Sequence, residues 1–293
     1  MSDYHIHLHA HGAYAGIGPP PGEYPEGHIE AYVETAMANG LEEICFTEHL
    51  YRCVESADVL GEFWAGETRP HLAEQTERFV LEDRTLSLDS YVDAVLAAKD
   101  RGLPVLLGLE VDFFPETIEG VLKLLDPYPW DLLIGSVHWL GGWSLDHPEV
   151  VAEYVERGVE AVYQEYFALE TELALSGTVD VLAHVDLAKV FGHRLSETPI
   201  DHYRSVVDAA AVSDTAVEVN TSGLNPLTGE IYPAPAFLRM FHDADVPITL
   251  GSDAHDPESV GSGFDQAREL ARSVGYTECL RFQGRVGTPV PLR

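Results

Sequence analysis

Short apolar runs alternate along this chain with longer stretches whose apolar residues recur every three to four positions. The runs occupy residues 44–47, 105–109, 132–137, 179–183, 216–220 and 248–252, and residues 4–7 read as another at the start. Unbroken apolar runs of this length suit strands covered on both faces, as in parallel sheets. The intervening spacing predicts helices over about 29–39, 87–101, 118–125, 149–176, 201–212, 234–243 and 256–274. Gly40, Gly102, Gly177 and Gly275 mark stops. Asp256-Pro257-Glu258 has the form of a helix start, a capping acid followed by proline. Pro19-Pro20-Pro21-Gly22 forbids a helix within the polar stretch 9–27, and the tail beyond Gly275 shows little pattern.

Seven strand–helix units in succession indicate an α/β fold with a parallel sheet, and right-handed crossovers allow that sheet to close. The expectation is one domain over 1–293, a distorted seven-stranded (β/α)7 TIM-like barrel. An open doubly wound sheet is the alternative. Residues 52–86 exceed a plain connection and carry Phe63, Trp64, His71 and Phe79 among many acids. They read either as a lid or substrate-selecting insertion over the mouth, or as a surface excursion.

Composition narrows the functional classes. The chain is 45% hydrophobic, enough for a large core, yet no stretch approaches the roughly 18 apolar residues of a membrane span. It enters the first strand at once, leaving no room for a signal peptide. Cys45, Cys53 and Cys279 are odd in number and scattered, so a disulfide framework is not expected and a reducing cytoplasm is. The net charge of −32 repels nucleic acid and anionic membranes. Lys99, Lys123 and Lys189 are the only lysines. A GC-rich genome or a salt-adapted source explains that bias.

Candidate chemistry gathers at the strand ends. On a strand, His5 and His7 point the same way and are able to grip one divalent ion. Glu48 and His49, Glu110, His138, His184, and Asp253 with His255 each follow a later run. Imidazoles and carboxylates suit Zn, Mn or Fe, and a bridging carboxylate suits a cluster of ions. One such residue is ordinary packing; this many at strand ends is not. A barrel brings strand ends to one rim, where barrel enzymes carry their sites.

In order along the chain, DYHIH (3–7), FTEH (46–49), GLEVDF (108–113), IGSVHWL (134–140), DVLAHVDLAKVFG (180–192), EVNTSG (218–223) and GSDAHDPESVG (251–261) resemble the motifs of the PHP (polymerase and histidinol phosphatase) family, its histidinol-phosphate phosphatase branch in particular. The resemblance spans nearly the whole chain. It implies one metal held by residues matching His5, His7, Glu110 and Asp253. A second shares Glu110 with His138 and His184, and a third uses His49, His255 and one more histidine. The family's usual position for that last ligand is Ala13 here, so His11 is the favoured substitute over His9 and His28; alignment from the helix side points to Tyr24.

What this resemblance implies is a metal-dependent phosphomonoester hydrolase using two or three divalent ions, with L-histidinol phosphate as the leading substrate. An ion-activated water attacks phosphorus directly, with no phosphoenzyme, and Glu110, Asp253 and His255 are the catalytic candidates. Lys189 and Arg52 are expected to contact phosphate, and Asn220 and Ser222 to hydrogen-bond the substrate. Glu48 and Asp186 are candidates for orienting ligand histidines, and Asp112, Glu23 or acids of the 52–86 insertion for receiving a cationic amine. Alternatives are another small phosphorylated metabolite, a polymerase-associated nuclease module, an amidohydrolase, or a metal-binding protein without catalysis.

Overall fold

The computed structural model describes residues 1–11, 16 and 18–293. In chain order come β1 (Ser2–Asp3), α1 (His28–Ala38), β2 (Glu43–Phe46), α2 (Ala57–Leu60), α3 (Pro70–Asp83), α4 (Leu88–Asp100), β3 (Val105–Asp112), α5 (Ile118–Leu125) and β4 (Leu132–Ser136). The small hairpin β5 (Trp139–Leu140) and β6 (Trp143–Ser144) precedes α6 (Glu153–Arg157), α7 (Val159–Ser176), β7 (Val181–Leu182), α8 (Ile200–Ser213) and β8 (Ala216–Asn220). Then follow α9 (Pro235–Asp243), β9 (Ile248–Gly251), α10 (Phe264–Val274), β10 (Glu278–Gln283) and β11 (Val286–Pro291).

Seven parallel strands form one sheet in the order β1-β2-β3-β4-β7-β8-β9. Residues just beyond β1 bring its edges together. The Tyr4 amide donates to Leu250 O at 3.0 Å, that of Asp253 to His5 O at 2.8 Å, and that of His7 to Ala254 O at 2.8 Å. The result is the nearly closed barrel expected, not the open sheet. Helices cover its outer face, which is why β3 and β4 are buried along their whole length. Tyr4, Cys45, Leu106, Leu132, Ile134, Val181, Ala183 and Ala216 fill the inside.

Three expectations need correction. The helix expected over 149–176 is two, because Gly158 at φ 86° breaks it between α6 and α7. The helix expected over 256–274 begins at Phe264; Pro257–Ser259 is a separate 3-10 turn, with Gly261 and Gly263 at positive φ between them. The tail, read as patternless, is the antiparallel hairpin β10–β11. Its two-residue turn, Gly284 and Arg285, has φ of 54° and 63°, the left-handed pair that a type I′ turn requires. Phe282 of β10 joins the barrel's interior cluster and plugs its N-terminal end.

Candidate metal centre

The opposite end of the barrel is lined by the residues singled out above. His5 and His7 leave β1, His49 leaves β2, Glu110 lies on β3, His138 follows β4, His184 follows β7, and Asp253 and His255 follow β9. Glu110 is fully buried at their centre. Its Oε2 lies 2.8 Å from His49 Nδ1, 3.3 Å from His5 Nε2 and 3.7 Å from His7 Nε2. Its Oε1 lies 3.1 Å from His184 Nε2 and 3.5 Å from His138 Nε2. Asp253 Oδ1 is 3.2 Å from His7 Nε2 and 3.5 Å from His5 Nε2.

Among the described residues these side chains form four groups spaced for metal binding: His5–His7–Glu110, His5–His184–Asp253, His49–Glu110–His138 and His7–His11–His49–His255. His11 Nε2 stands 3.0 Å from His49 Nε2. Its neighbours take other roles. His9 Nε2 meets Glu23 O at 3.0 Å and packs its ring on half-buried Tyr24, while His28 Nε2 meets Leu8 O at 2.8 Å. Ala13 lies outside the described residues.

The donor set fits divalent ions. Buried His5 Nε2, both ring nitrogens of His7, His49 Nδ1, His184 Nδ1 and Glu110 Oε2 make no hydrogen bond, an arrangement costly unless a further partner satisfies them. The electrostatics agree. Burial opposes charge on Glu110, but the rings of His49, His5 and His138 outweigh it and hold the carboxyl well below its ordinary range. Asp253 is likewise held low against burial, chiefly by His5. Burial pushes His255 down to about 4, and lowers His7 and His11 too, so these rings present lone pairs at neutral pH. Burial also disfavours charge on His5 and His138, but acids overrule it: Glu218, Asp253 and Glu110 for His5, and Glu110 and Asp112 for His138, which rises to about 10. Those acids create a demand for positive charge that protons or cations meet.

Backbone strain marks the same place. His184 at φ 22° and Asp253 at φ 58° occupy the region L-residues avoid, a cost of about 1–3 kcal/mol each that surrounding structure must sustain. Behind the ligands stands a second ring of acids. Glu218, on β8, was missed by sequence reasoning, which stopped at its neighbours Asn220 and Ser222. Its carboxylate meets His5 Nδ1 at 3.0 Å and accepts from the His184 amide at 3.0 Å and Asn220 Nδ2 at 2.9 Å. An unpaired acid inside an otherwise apolar run was the available signal. Gly251 on β9 makes the arrangement possible, because a Cβ there would run into the Glu218 carboxylate and lie 2.8 Å from His5 Cβ.

Other candidates sit differently from expectation. Asp112 does not await an amine; it holds His138 Nδ1 at 3.0 Å and accepts from the Tyr51 amide at 2.9 Å. Asp186 orients no histidine but pairs with Lys189 at 2.9 Å and caps the Ala234 amide. Lys189 is buried and engaged by Asp186, Glu230 at 2.9 Å and Ile231 O. Arg52 is fully buried, with Glu48 at 3.0 Å, Asp83 at 3.1 Å and His9 O at 2.8 Å. Neither cation fronts open space as a phosphate contact would. Asn220 is buried too, its oxygen taking the amide and hydroxyl of Ser222. Glu48 accepts from the His9 amide at 2.8 Å and reaches His7 Nδ1 only at 3.9 Å, while Glu23 is exposed.

The model of the PHP domain matches residues 7–222, and the chain belongs to the PHP domain family. Within that family it resembles the histidinol-phosphatases, which are phosphoric monoester hydrolases. It is 35% identical over 278 residues to the "Probable histidinol-phosphatase" of Deinococcus radiodurans, covering 94% of each chain. It is 28% identical to the histidinol-phosphatase of Bacillus subtilis, over 81% of this chain and 90% of that one. The crystal structure of histidinol phosphate phosphatase from Lactococcus lactis, complexed with Zn, L-histidinol and phosphate, superposes with a TM-score of 0.68 at 23% identity over 98% of both chains; that likeness shows the fold. Among the described residues, no helix is long and apolar enough to cross a membrane.

Proposed function

We propose that this chain hydrolyses L-histidinol phosphate to L-histidinol and phosphate, using two or three divalent ions drawn from Zn, Mn and Fe. The observation that carries the reading is the convergence of five imidazoles on buried Glu110. The relatives supply the substrate class. His5, His7, Glu110 and Asp253 would hold one ion, and Glu110, His138 and His184 a second. His49, His255 and His11 would hold a third. Bound there, the ions supply Lewis acidity that activates water and neutralises phosphoryl charge.

The chain's own residues do the rest. Glu110 stays ionised and shared, which fixes the spacing of the groups around it. Glu218 and Asp112 present His5 and His138 through their other ring nitrogens. His255 remains neutral and Asp253 ionised, so neither competes with the ions by taking up a proton near neutral pH. We read segment 52–86 as a fixed wall of the substrate mouth rather than a moving lid. Trp64, Leu72, Val80 and Leu86 are buried in the main core, and the Phe63 ring packs tilted against Phe114 and edge-to-face with Trp139 beyond β3 and β4.

Elemental analysis coupled to phosphate release from a panel of small phosphomonoesters tests the reading. Histidinol phosphate should be preferred, and single turnover in labelled water should place solvent oxygen in the product phosphate. Faster release from another metabolite would reassign the substrate, and no release from metal-loaded protein would remove the activity.

A further inference from the structure

Segment 52–86 is joined to the body of the protein by charges as well as by apolar packing, and the charges converge on one side chain. The short helix α6 carries Glu153 and Arg157 four residues apart, on one face. Arg157 Nε donates to Glu153 Oε1 at 2.7 Å and Nη2 to Glu67 Oε2 at 3.0 Å, while Nη1 lies 3.5 Å from Glu165 Oε2. The guanidinium also lies over the Trp143 ring, 5.0 Å from its centroid. Glu153 is buried and takes Arg69 of the insertion as its second cation. One arginine thus touches the insertion through Glu67, α6 through Glu153, α7 through Glu165 and the β5–β6 hairpin through Trp143.

That hairpin hangs directly from a candidate ligand. Trp139 follows His138 with its ring edge-on to the imidazole at 5.7 Å, and the Leu145 amide returns to His138 O at 3.0 Å. The insertion lies against the hairpin's turn: Thr76 Oγ1 donates to Gly142 O at 2.7 Å, and a Cβ at Gly142 would come within 2.6 Å of Glu67 Cβ. Phe63 of the insertion meets Trp139 edge-to-face at 5.3 Å. A line of contacts therefore runs from the insertion to His138, and its charged members meet at Arg157.

Apolar packing resists a small slip weakly, because its attraction has no direction. A largely buried ion pair resists it strongly: its net stabilisation is small, but separating it strands a charge away from water. A displaced insertion would leave Glu67, Glu153 or Arg157 in that position, so the network selects one placement of the wall. We infer that Arg157 is a specificity-determining positioning residue. By fixing the insertion on the hairpin, it sets the wall beside His138 against which the leaving group of the phosphate ester rests. This rests on the activity and the wall proposed above. Arg157 contacts none of the candidate metal ligands; it acts through Phe63 and Trp139.

Steady-state kinetics of metal-loaded, full-length protein on histidinol phosphate test the inference, with inorganic phosphate as a product inhibitor that reports on the phosphoryl end alone. Arg157→Met keeps an apolar stem over Trp143 and removes the charge. KM should rise by about tenfold, while kcat and the inhibition constant of phosphate stay within about twofold, the signature of lost binding to the leaving group. Arg157→Lys should recover only part of the loss, because an ammonium cannot reproduce the fork that joins Glu67 to Glu153. Glu67→Gln, which leaves the Arg157–Glu153 pair intact, should raise KM by about threefold, and it decides the matter if Arg157→Met fails to match the parent by circular dichroism. An unchanged KM in the folded variants overturns the inference. So does a loss shared equally by kcat and phosphate inhibition, which would make the network a general support of the site. A parent enzyme that releases no phosphate from histidinol phosphate strikes the proposed activity instead.

Discussion

The two ends of the barrel are built on opposite rules. At the N-terminal end the acids Glu43, Asp131 and Asp180 each have a local answer. Arg281 and the Tyr4 hydroxyl meet Glu43 at 2.7 and 2.8 Å, and Arg285 meets Asp180 at 3.0 Å. Asp131 takes Lys99 at 2.5 Å and the amides of Leu107 and Gly284, while Phe282 closes the interior. At the C-terminal end, buried nitrogens and a carboxylate oxygen go without hydrogen bonds, two ligands sit in strained backbone, and acids crowd rings. One end is arranged to minimise free energy and the other to keep demand for cations unmet by the chain itself. Stability and function are thus separated along a single axis, and substitutions at each end should fail in different ways.

The sharpest test of that division is Glu110→Gln. Removing the shared charge should lower phosphate release by on the order of 10³-fold, the scale of several kcal/mol of lost charge stabilisation, without loss of folded structure by circular dichroism. Unfolding of this variant would instead make Glu110 a stability element. Phe282→Ala is the mirror experiment. It should cost about 3–5 kcal/mol in urea unfolding yet leave kcat of the folded fraction unchanged. A lowered kcat would mean the two ends communicate.

Glu170 of α7 probes a buried acid that makes no salt bridge among the described residues, although the His138 ring also opposes its shift. Burial raises its pKa to about 8, opposed only partly by the Tyr166 hydroxyl at 2.7 Å. A carboxyl whose folded pKa is raised contributes most at low pH, and that contribution is lost as pH climbs from its ordinary range through 8. Glu170→Gln should abolish this slope, matching the parent near pH 5 and exceeding it by roughly 2–4 kcal/mol at pH 9. Parallel pH–stability curves would count against a neutral buried acid.

Glu218→Gln keeps the shape behind His5 and His184 but removes the charge. Metal affinity by chelator competition should fall about 10–100-fold. The smallest effect concerns the acidic surface common to both ends. With a net charge of −32, raising KCl from 0.01 to 1 M contracts the screening length from about 30 to 3 Å and should raise the melting temperature by about a few degrees. A flat response removes salt adaptation as the reason for the composition.

Much of the barrel and its rim was legible because period-two and period-3.6 patterns are local, and because strand ends are where apolar runs stop. His5, His7, Glu110, His138 and Asp253 needed only that rule to be placed. What escaped was non-local. Phe282 plugs an interior built from strands far away in sequence, and prolines in β11 obscured the alternation of its partner. Arg52 and Lys189 read as phosphate contacts because nothing nearby in sequence announces Asp83 or Glu230 as their partners. Glu218 hid within a strand whose pattern was already explained. Gly158 was the exception: its break was local and could have been read.

Gly251 shows that a hydrogen atom in place of a side chain is itself a functional part. The space it leaves is occupied by a carboxylate that holds histidines from two separate strands, so a single added methyl would set Glu218 against His5 without altering any charge. A protein of this fold that carries alanine at that point must have rebuilt the layer beneath its histidines, and the residue there tells which version of that layer a given chain possesses.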